Sequence, residues 1–419
     1  TINMIGSLFA GISGLNANSK ALTVIGDNIA NVNTTAFKSN RSSFANILSQ
    51  SLAGTGGSEI GRGVEFWGTT PLWSQGSVEN TASPTDMAIN GAGFFLLNDN
   101  ANAEYYTRAG DFTFNRDGYL VNPDGLFVQG YEVTSVATDG TFTIGNITDI
   151  NVPGQSTSPP RQSSEFTIDV NLDAGAADLE TYSTTIIVYE SLGNSIPLTL
   201  TFEKQLTANE WDASVSVPAG TLNAGGSCTI DVTTYTFDGA TGQLNIAAPD
   251  PEITFSGLAS GAADFTLTWD LFDDTGAVHG DLSQYAAPFM TTFQTQDGYP
   301  SGVLRGVQVD ETGVVTGAYS NGQQTPLYQV VLADFPNYYG LSKMGKNMYA
   351  ESRDSGQPMV GPPQTARLGS ISPSAIEMSN VDLAQEFVKM ITTQRAFQAN
   401  SRVITTSDDI LSELINIKR

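Results

Sequence analysis

Apolar residues recur along this chain with two different periods, and the change of period divides it. Near the N-terminus Leu8, Leu15, Leu22 and Ile29 stand seven residues apart, with Ile5, Ile12, Ile25 and Val32 on nearby faces. A seven-residue repeat keeps one side of a helix apolar, so the spacing predicts an N-terminal amphipathic helix. The polar run Asn31-Val32-Asn33-Thr34-Thr35 ends it. Gly6, Gly11, Gly14 and Gly26 weaken it, by about 1 kcal/mol each relative to alanine. At the other end Leu383, Met390, Phe397, Ile404 and Leu411 repeat every seven residues, and Phe387, Ile391, Leu414 and Ile415 widen the stripe. No Gly or Pro occurs between 380 and 419, which predicts one long helix of about ten turns. Ser379 is its expected N-cap, with Asp382 three residues on in the manner of a capping box.

Between the ends the period falls to two. Leu198–Phe202, Ser214–Val217 and Phe265–Trp269 alternate, and Asp-Gly or Asn-Gly pairs punctuate the runs, as at 117–118, 238–239, 297–298 and 321–322. That is the pattern of strands joined by tight turns. Linkers are expected at 53–63, which is rich in glycine, and at 153–164, which is rich in Pro and Ser, with a softer break at Ala286-Ala287-Pro288. The fold class expected is therefore multidomain: N- and C-terminal α-helices pairing as a coiled coil, with all-β domains inserted between them. The boundaries drawn are 1–35 and 380–419 for the terminal helices, 36–75 for an extended connecting segment, 76–150 and 296–379 for an inner β domain, and 151–295 for an outer acidic β domain.

The pairing follows from energetics. Fixing the N-terminal helix costs more conformational entropy than its few large apolar side chains return by burial, so it needs a partner. The other heptad stripe is the natural one. Even the pair makes a thin core, so further copies of the chain are expected to complete it. The residues expected to carry this association are Leu8, Ile12, Leu15, Leu22, Ile25 and Ile29 at one end, and Leu383, Phe387, Met390, Phe397, Ile404 and Leu411 at the other.

Charge sharpens the division. The net charge is −25, yet residues 151–300 hold 2 basic against 19 acidic residues, while 1–75 hold 4 against 3 and 381–419 hold 5 against 5. Neutral ends can pack together while the acidic middle faces water. The negative balance excludes a phosphate-binding surface, so no nucleic-acid partner is expected. The longest apolar runs, such as Phe94-Phe95-Leu96-Leu97, are far too short for a membrane helix. Residues 1–19 carry no basic residue, so no secretory signal is expected, and a chain beginning at Thr1 is expected to have lost an initiator Met.

Candidate chemistry is sparse. One Cys and one His exclude a disulfide framework and a His/Cys zinc site. Asp274-Thr275-Gly276 and Asp354-Ser355-Gly356 resemble paired aspartic-protease loops, but Asp273 and Arg353 precede them where apolar residues belong, so both are expected to be turns. Asp231, Asp238, Asp250, Asp270, Asp273 and Asp274 lack the spacing of a calcium loop and are expected to form a solvated face. His279 is expected on a surface turn, and Cys228 at a strand start as a free thiol. No cofactor, no metal and no catalysis are expected. An extracellular β-domain adhesin fits the exposed middle but leaves the two heptad helices unaccounted for.

Several strings carry a resemblance. Ser13-Gly14-Leu15, Ile25-Gly26-Asp27-Asn28-Ile29-Ala30-Asn31 and Phe37-Lys38 lie at the start. Gly93-Phe94-Phe95, Tyr106-Thr107-Arg108-Ala109-Gly110 and Leu120-Val121-Asn122 follow. Ser379-Asn380-Val381-Asp382-Leu383 and Met390-Ile391-Thr392-Thr393-Gln394-Arg395-Ala396-Phe397 close the chain. Together they resemble the bacterial flagellar rod and hook family. Within it the hook type fits best, because rod types are shorter and lack an insert like 151–295. Tyr189-Glu190-Ser191-Leu192-Gly193-Asn194, Asn209-Glu210-Trp211 and Gly340-Leu341-Ser342 agree. The longer stretch at 49–75 is also seen in distal rod types, which are the alternative. The resemblance implies a subunit that self-polymerises into a hollow curved tube, a universal joint passing torque from rod to filament. It implies terminal helices lining the tube, and export through the flagellar type III apparatus without a cleaved signal. It further implies contact with distal rod, hook cap and hook–filament junction proteins. Some spirochaete hook proteins are joined through a Cys and a Lys, and Cys228 lies in the corresponding outer domain.

Overall fold

The computed structural model describes residues 2–47, 50, 51, 59, 60, 62–99, 101–136, 141–246, 249–273 and 278–417. The chain divides into two units, one built from Thr1–Gly154, Gly306–Gly317 and Gln324–Arg419, the other from Gln155–Arg305 and Ala318–Gln323.

The first unit contains both terminal helices. Helix α1 spans Ile2–Ala30 and helix α2 spans Leu383–Ile417, and the two pack against each other. Between 36 and 75, where an extended connection is expected, strand β1 (Asn40–Asn46) pairs antiparallel with strand β2 (Val64–Pro71). The ribbon escapes a period-two reading because β1 carries only Phe44 and Ala45 among polar residues, and its partner lies well down the chain.

The β part of this unit is an antiparallel sheet. Its order is Gln324–Val330, Phe127–Val136, Phe94–Asn98, Glu104–Thr107, Met348–Ala350, Ser342–Gly345. Phe94, Leu96, Tyr106, Val331, Ala333, Phe335, Leu341 and Tyr349 form its buried core. Phe94 is the centre, with the rings of Trp73, Tyr338, Tyr349 and Phe335 at 5.6, 5.5, 5.8 and 6.0 Å. Edge-to-face packing of this kind adds to plain burial. Two short return strands matter most for the site. Ser370–Pro373 pairs with Met87–Asn90, and Ala375–Glu377 pairs with Val78–Asn80, so the C-terminal segment is threaded back beside the N-terminal one before α2 begins.

The start of α2 differs from expectation. The helix begins at Leu383, and the Asp382 carboxylate accepts from the N–H groups of Ala384 at 2.9 Å and Gln385 at 3.1 Å. Asp382, not Ser379, is the N-cap, because the orphan donors of a first turn lie two and three residues past the cap. Ser379 Oγ accepts from Val381 N–H at 3.3 Å, outside the helix.

The second unit is a β-sandwich. A six-stranded sheet holds Glu165–Asp173, Leu222–Ile230, Glu252–Leu258, Phe265–Trp269, Leu282–Tyr285 and Met290–Gln296. A four-stranded sheet holds Thr181–Tyr189, Ser195–Lys204, Glu210–Ser216 and Thr234–Thr236. Alternate residues of both share one core that includes Phe166, Ile168, Leu200, Phe202, Trp211 and Trp269. The alternation read at 198–202 and 265–269 is this inward face.

Candidate functional site

The site to examine is the helix pair and its root. Along α1 the buried positions are Gly11, Gly14, Ala17, Ala21, Ile25 and Asn28. Small residues let the helices approach closely. A Cβ on Gly14 would stand 2.9 Å from the Asn400 side chain, and one on Gly11 would stand 3.1 Å from Ile404 Cγ1. On α2 the facing residues are Asn400, Ile404 and the buried Ser407. The seam inside one chain is therefore close, with glycine and alanine on the α1 side facing Asn400, Ile404 and Ser407 on α2.

The large residues of the heptad stripes flank this seam. Leu8, Leu15, Leu22 and Ile29 are half-buried, Ile25 is buried and Ile12 is exposed. On α2, Met390, Phe397, Ile404 and Leu411 are half-buried, whereas Leu383 and Phe387 are exposed. Phe9 on α1, with Val388, Ile391, Val403 and Ile410 on α2, are exposed as well. Leu414 and Ile415 lie outside the residues whose side chains are described. The pair thus leaves a set of large apolar side chains uncovered within one chain, a sign of a surface that meets other protein.

Sequence reasoning missed the root. Asn28 is buried near the end of α1, where its amide donates to Asn40 O at 2.8 Å and to Glu386 Oε2 at 3.3 Å, and its Oδ1 accepts from Asn40 N–H at 2.8 Å. Glu386, buried in the first turn of α2, also takes Lys389 Nζ at 2.7 Å. Asn380 ties three segments: its Oδ1 accepts from Ser39 N–H at 2.7 Å and its amide donates to Leu72 O and Ser74 O at 2.9 and 3.0 Å.

Beneath these lies a buried ionic cluster. The Glu377 carboxylate is fully buried and meets Lys38 Nζ at 2.5 Å, Arg108 Nη1 at 3.4 Å and Gly76 N–H at 2.9 Å. Lys38 also donates to Ser74 O at 2.9 Å, and Arg108 donates to Gly91 O at 2.6 Å with its guanidinium 5.6 Å from the Phe94 ring centroid. Burial lowers the Lys38 pKa below the ordinary lysine value, Glu377 pulls it back, and Arg108 adds to the depression. Lys38, Arg108, Asn28 and Asn380 all sit in the quoted strings. The signal that could have found them is a charged or amide residue standing within a string that resembles the family.

The remaining candidates resolve as structure. Cys228 lies inside Leu222–Ile230 rather than at a strand start, because its strand begins in the Gly-rich run before it. Burial pushes its thiol up to about 11, so little thiolate forms at neutral pH. His279 Nδ1 stands 3.8 Å from both Asp270 and Asp281 carboxylates. Asp250 accepts from Leu271 and Phe272 N–H, Asp231 from Val232 and Glu252 N–H, and Asp238 from Ala240 N–H, so these carboxylates fix backbone turns. In Asp354-Ser355-Gly356 the Ser355 hydroxyl is buried and bonded to Ser352 O at 2.9 Å. Asp274-Thr275-Gly276 lies outside the described residues. No helix among the described residues is long and apolar enough to cross a membrane.

Fold and site together define a structural subunit, whose buried polar and charged side chains join its two ends. Comparison with known proteins narrows the class. Family models match in chain order: flagellar basal body rod protein at 8–38, flagellar hook protein FlgE/F/G D1 domain at 88–171, flagellar basal body protein FlaE D2 domain at 151–299, and flagellar basal body rod FlgEFG protein C-terminal at 372–417. The flagellar hook protein FlgE of Borreliella burgdorferi is 34% identical over 445 residues, covering 99% of this chain and all of the relative. That of Salmonella typhimurium is 32% identical over 441 residues, covering 97% of this chain and 98% of the relative. A crystal structure of Helicobacter pylori flagellar hook protein FlgE2 matches with a TM-score of 0.49 at 16% identity, covering 72% of this chain and 100% of that one. The chain belongs to the flagellar hook protein family.

Proposed function

We propose that this chain is the structural subunit of a bacterial flagellar hook, that it polymerises into a hollow curved tube, and that the tube acts as a universal joint between rod and filament. It is not an enzyme. Its expected neighbours are further copies of itself along the tube, distal rod protein at the base, hook cap protein at the growing tip, and the hook–filament junction protein beyond. It reaches the outside through the flagellar type III apparatus without a cleaved signal peptide.

One observation carries the reading: two helices from opposite ends of the chain share a narrow seam and leave Phe9, Phe387, Val388, Ile391, Val403 and Ile410 exposed. A free monomer gains nothing from that surface, whereas a stack of copies buries it. The assembly residues proposed are Leu8, Ile12, Leu15, Leu22, Ile25, Ile29, Leu383, Phe387, Met390, Phe397, Ile404 and Leu411. Ordering of the two ends is coupled to assembly, and the acidic domain near 151–295 supplies a solvated outer layer. Negative-stain microscopy of the purified chain at rising concentration tests this. Curved tubes are expected, and Phe397→Asp abolishes them by burying an unpaired carboxylate in every copy. Straight tubes select a rod role. Monomers at every concentration overturn the polymer reading.

A further inference from the structure

The second unit holds the one histidine of the chain, and that residue stands between two strand ends. His279 Nδ1 lies 3.8 Å from the Asp270 carboxylate and 3.8 Å from the Asp281 carboxylate. Asp270 follows strand Phe265–Trp269, and Asp281 precedes strand Leu282–Tyr285. Both strands run parallel to Glu165–Asp173, the first beside Glu165 and Phe166, the second beside Val170 to Asp173. The connection from 270 to 281 thus links two neighbours of one strand. Asp250 Oδ1 accepts from Leu271 and Phe272 N–H, and Phe272 bridges to Val278. His279 N–H donates to Leu271 O at 2.9 Å, and Val170 N–H donates to Asp281 O at 2.7 Å.

The charges around this point are nearly all negative. The Glu165 carboxyl is within hydrogen-bonding reach of Asp270, with Asp297 and Asp250 near it, and Asp169 faces Asp281. Asp273 follows Phe272 in the same connection. Arg161 pairs with Asp297 at 3.2 Å. Among the described residues no Lys or Arg pairs with Asp270 or Asp281, so His279 alone can place a positive charge between them. With the ring neutral, the acids at the two strand ends repel. With the ring protonated, each gains a charge-assisted partner. Histidine changes charge between about pH 5 and 8, the range in which such a contact can switch. The acids push the same way. Burial and then Asp270 raise the Glu165 pKa, and burial and then Asp169 raise that of Asp281, which His279 partly pulls back. A raised carboxylate favours the fold in its protonated form, so that stability is present at low pH and lost as pH rises through the folded value. Proton uptake by the ring and by these two acids therefore tightens the connection, whereas Asp297, whose pKa is lowered, loses its contribution in stronger acid.

We propose that His279 is a proton-operated clasp: its imidazolium ties Asp270 to Asp281 and closes the 270–281 connection onto the sheet, and the neutral ring releases it. The clasp belongs to the second unit alone and does not depend on the polymer reading. Nuclear magnetic resonance of the full chain labelled with nitrogen-15 histidine tests it, because the label reports on a single residue. Protection of the His279 amide, corrected for the intrinsic pH dependence of exchange, is expected to rise severalfold between about pH 8 and about pH 5.5, over the range in which the ring signals titrate. In about 1 M salt the rise shrinks, since the three side chains are only partly buried. Hydrogen exchange of Glu165–Asp173, followed by mass spectrometry, shows the same step through Val170 N–H and loses it in His279→Gln. Asp270→Asn combined with Asp281→Asn leaves the ring titrating and removes the step in amide protection. A ring that titrates while the amide protection of the unmodified chain stays flat overturns the proposal. A step undiminished by salt, or one that survives in His279→Gln or in the double variant, also overturns it.

Discussion

Replacing Glu377 with alanine is the sharpest test of how the two ends are held. The wild-type carboxylate is fully buried between Lys38 at 2.5 Å and Arg108 at 3.4 Å, and both cations are themselves buried. Alanine leaves two cations of like sign facing one another across a cavity, and strips Gly76 N–H of its acceptor. Breaking a buried pair by removing one partner costs about 3–5 kcal/mol, because the remaining charge keeps its desolvation penalty. Here the penalty falls on two groups, which places Glu377→Ala at the upper part of that range. Lys38→Met is milder, at about 1–3 kcal/mol, since Glu377 keeps Arg108 and Gly76. Lys38→Met combined with Glu377→Ala removes both members of the closest pair, so its cost is expected to fall below the sum of the singles by more than about 1 kcal/mol. Urea unfolding followed by near-ultraviolet circular dichroism reads these values, because Trp73 and Tyr349 pack 5.1 Å apart beside the cluster. A loss under about 1 kcal/mol for Glu377→Ala, or strict additivity in the cycle, would refute the argument that this cluster is a coupled buried unit.

Three further outcomes are expected. Gly26 has nothing within 4 Å of an added Cβ, whereas Gly14 faces Asn400 at 2.9 Å; Gly26→Ala should stabilise α1 by up to about 1 kcal/mol, and Gly14→Leu should part the helices, as far-ultraviolet melting and limited proteolysis of the ends would report. Asp382→Ala should cost about 0.5–2 kcal/mol of helix stability, readable as faster hydrogen exchange in the first turn of α2. Asp297 accepts from Ser164 N–H, Ser164 Oγ and Glu165 N–H and faces Arg161; burial pushes its pKa up, but these bonds outweigh burial and hold it below 3.8. Its stabilisation is thus present above pH 3.8 and lost as pH falls through the folded value, so Asp297→Asn should flatten the acid limb of an unfolding titration of the second unit.

How far the fold was legible depends on which forces fix each part. Helices at both ends and strands between them follow from period alone, since burial of one face sets the spacing of Leu8 to Ile29 and of Leu383 to Leu411. The seam was harder. Heptad reading weights large residues, while the contact inside one chain uses Gly11, Gly14, Ala17 and Ala21, whose importance lies in what they allow to approach. Counting glycines as helix breakers hid their packing role at two positions of the four. The root was hidden for a different reason. Lys38, Arg108 and Glu377 are far apart in sequence and polar, so neither periodicity nor hydropathy marks them as buried. Lys38 and Arg108 were visible only as letters within strings that resemble a family, and Glu377 lies outside those strings. Trp67 shows the converse case, a large apolar residue that stands mostly in solvent at a bulge.

The distance along the chain between Lys38 and Glu377 has a temporal meaning. These partners are separated by 339 residues, so the loop that their contact closes contains most of the polypeptide. Loop closure over such a span is slow, and it cannot begin before the late segment exists. A chain made from its N-terminus must carry Lys38 and Arg108 without their counter-ion until nearly everything else has emerged. The sandwich of the second unit can fold in the meantime, because its strands all lie between Glu165 and Gln296, whereas the sheet of the first unit waits for the late strands Gln324–Val330 and Met348–Ala350. The root then acts as a completion check: a chain that stops short of Glu377 keeps two cations it cannot bury, and its first helix has no second helix to lie against.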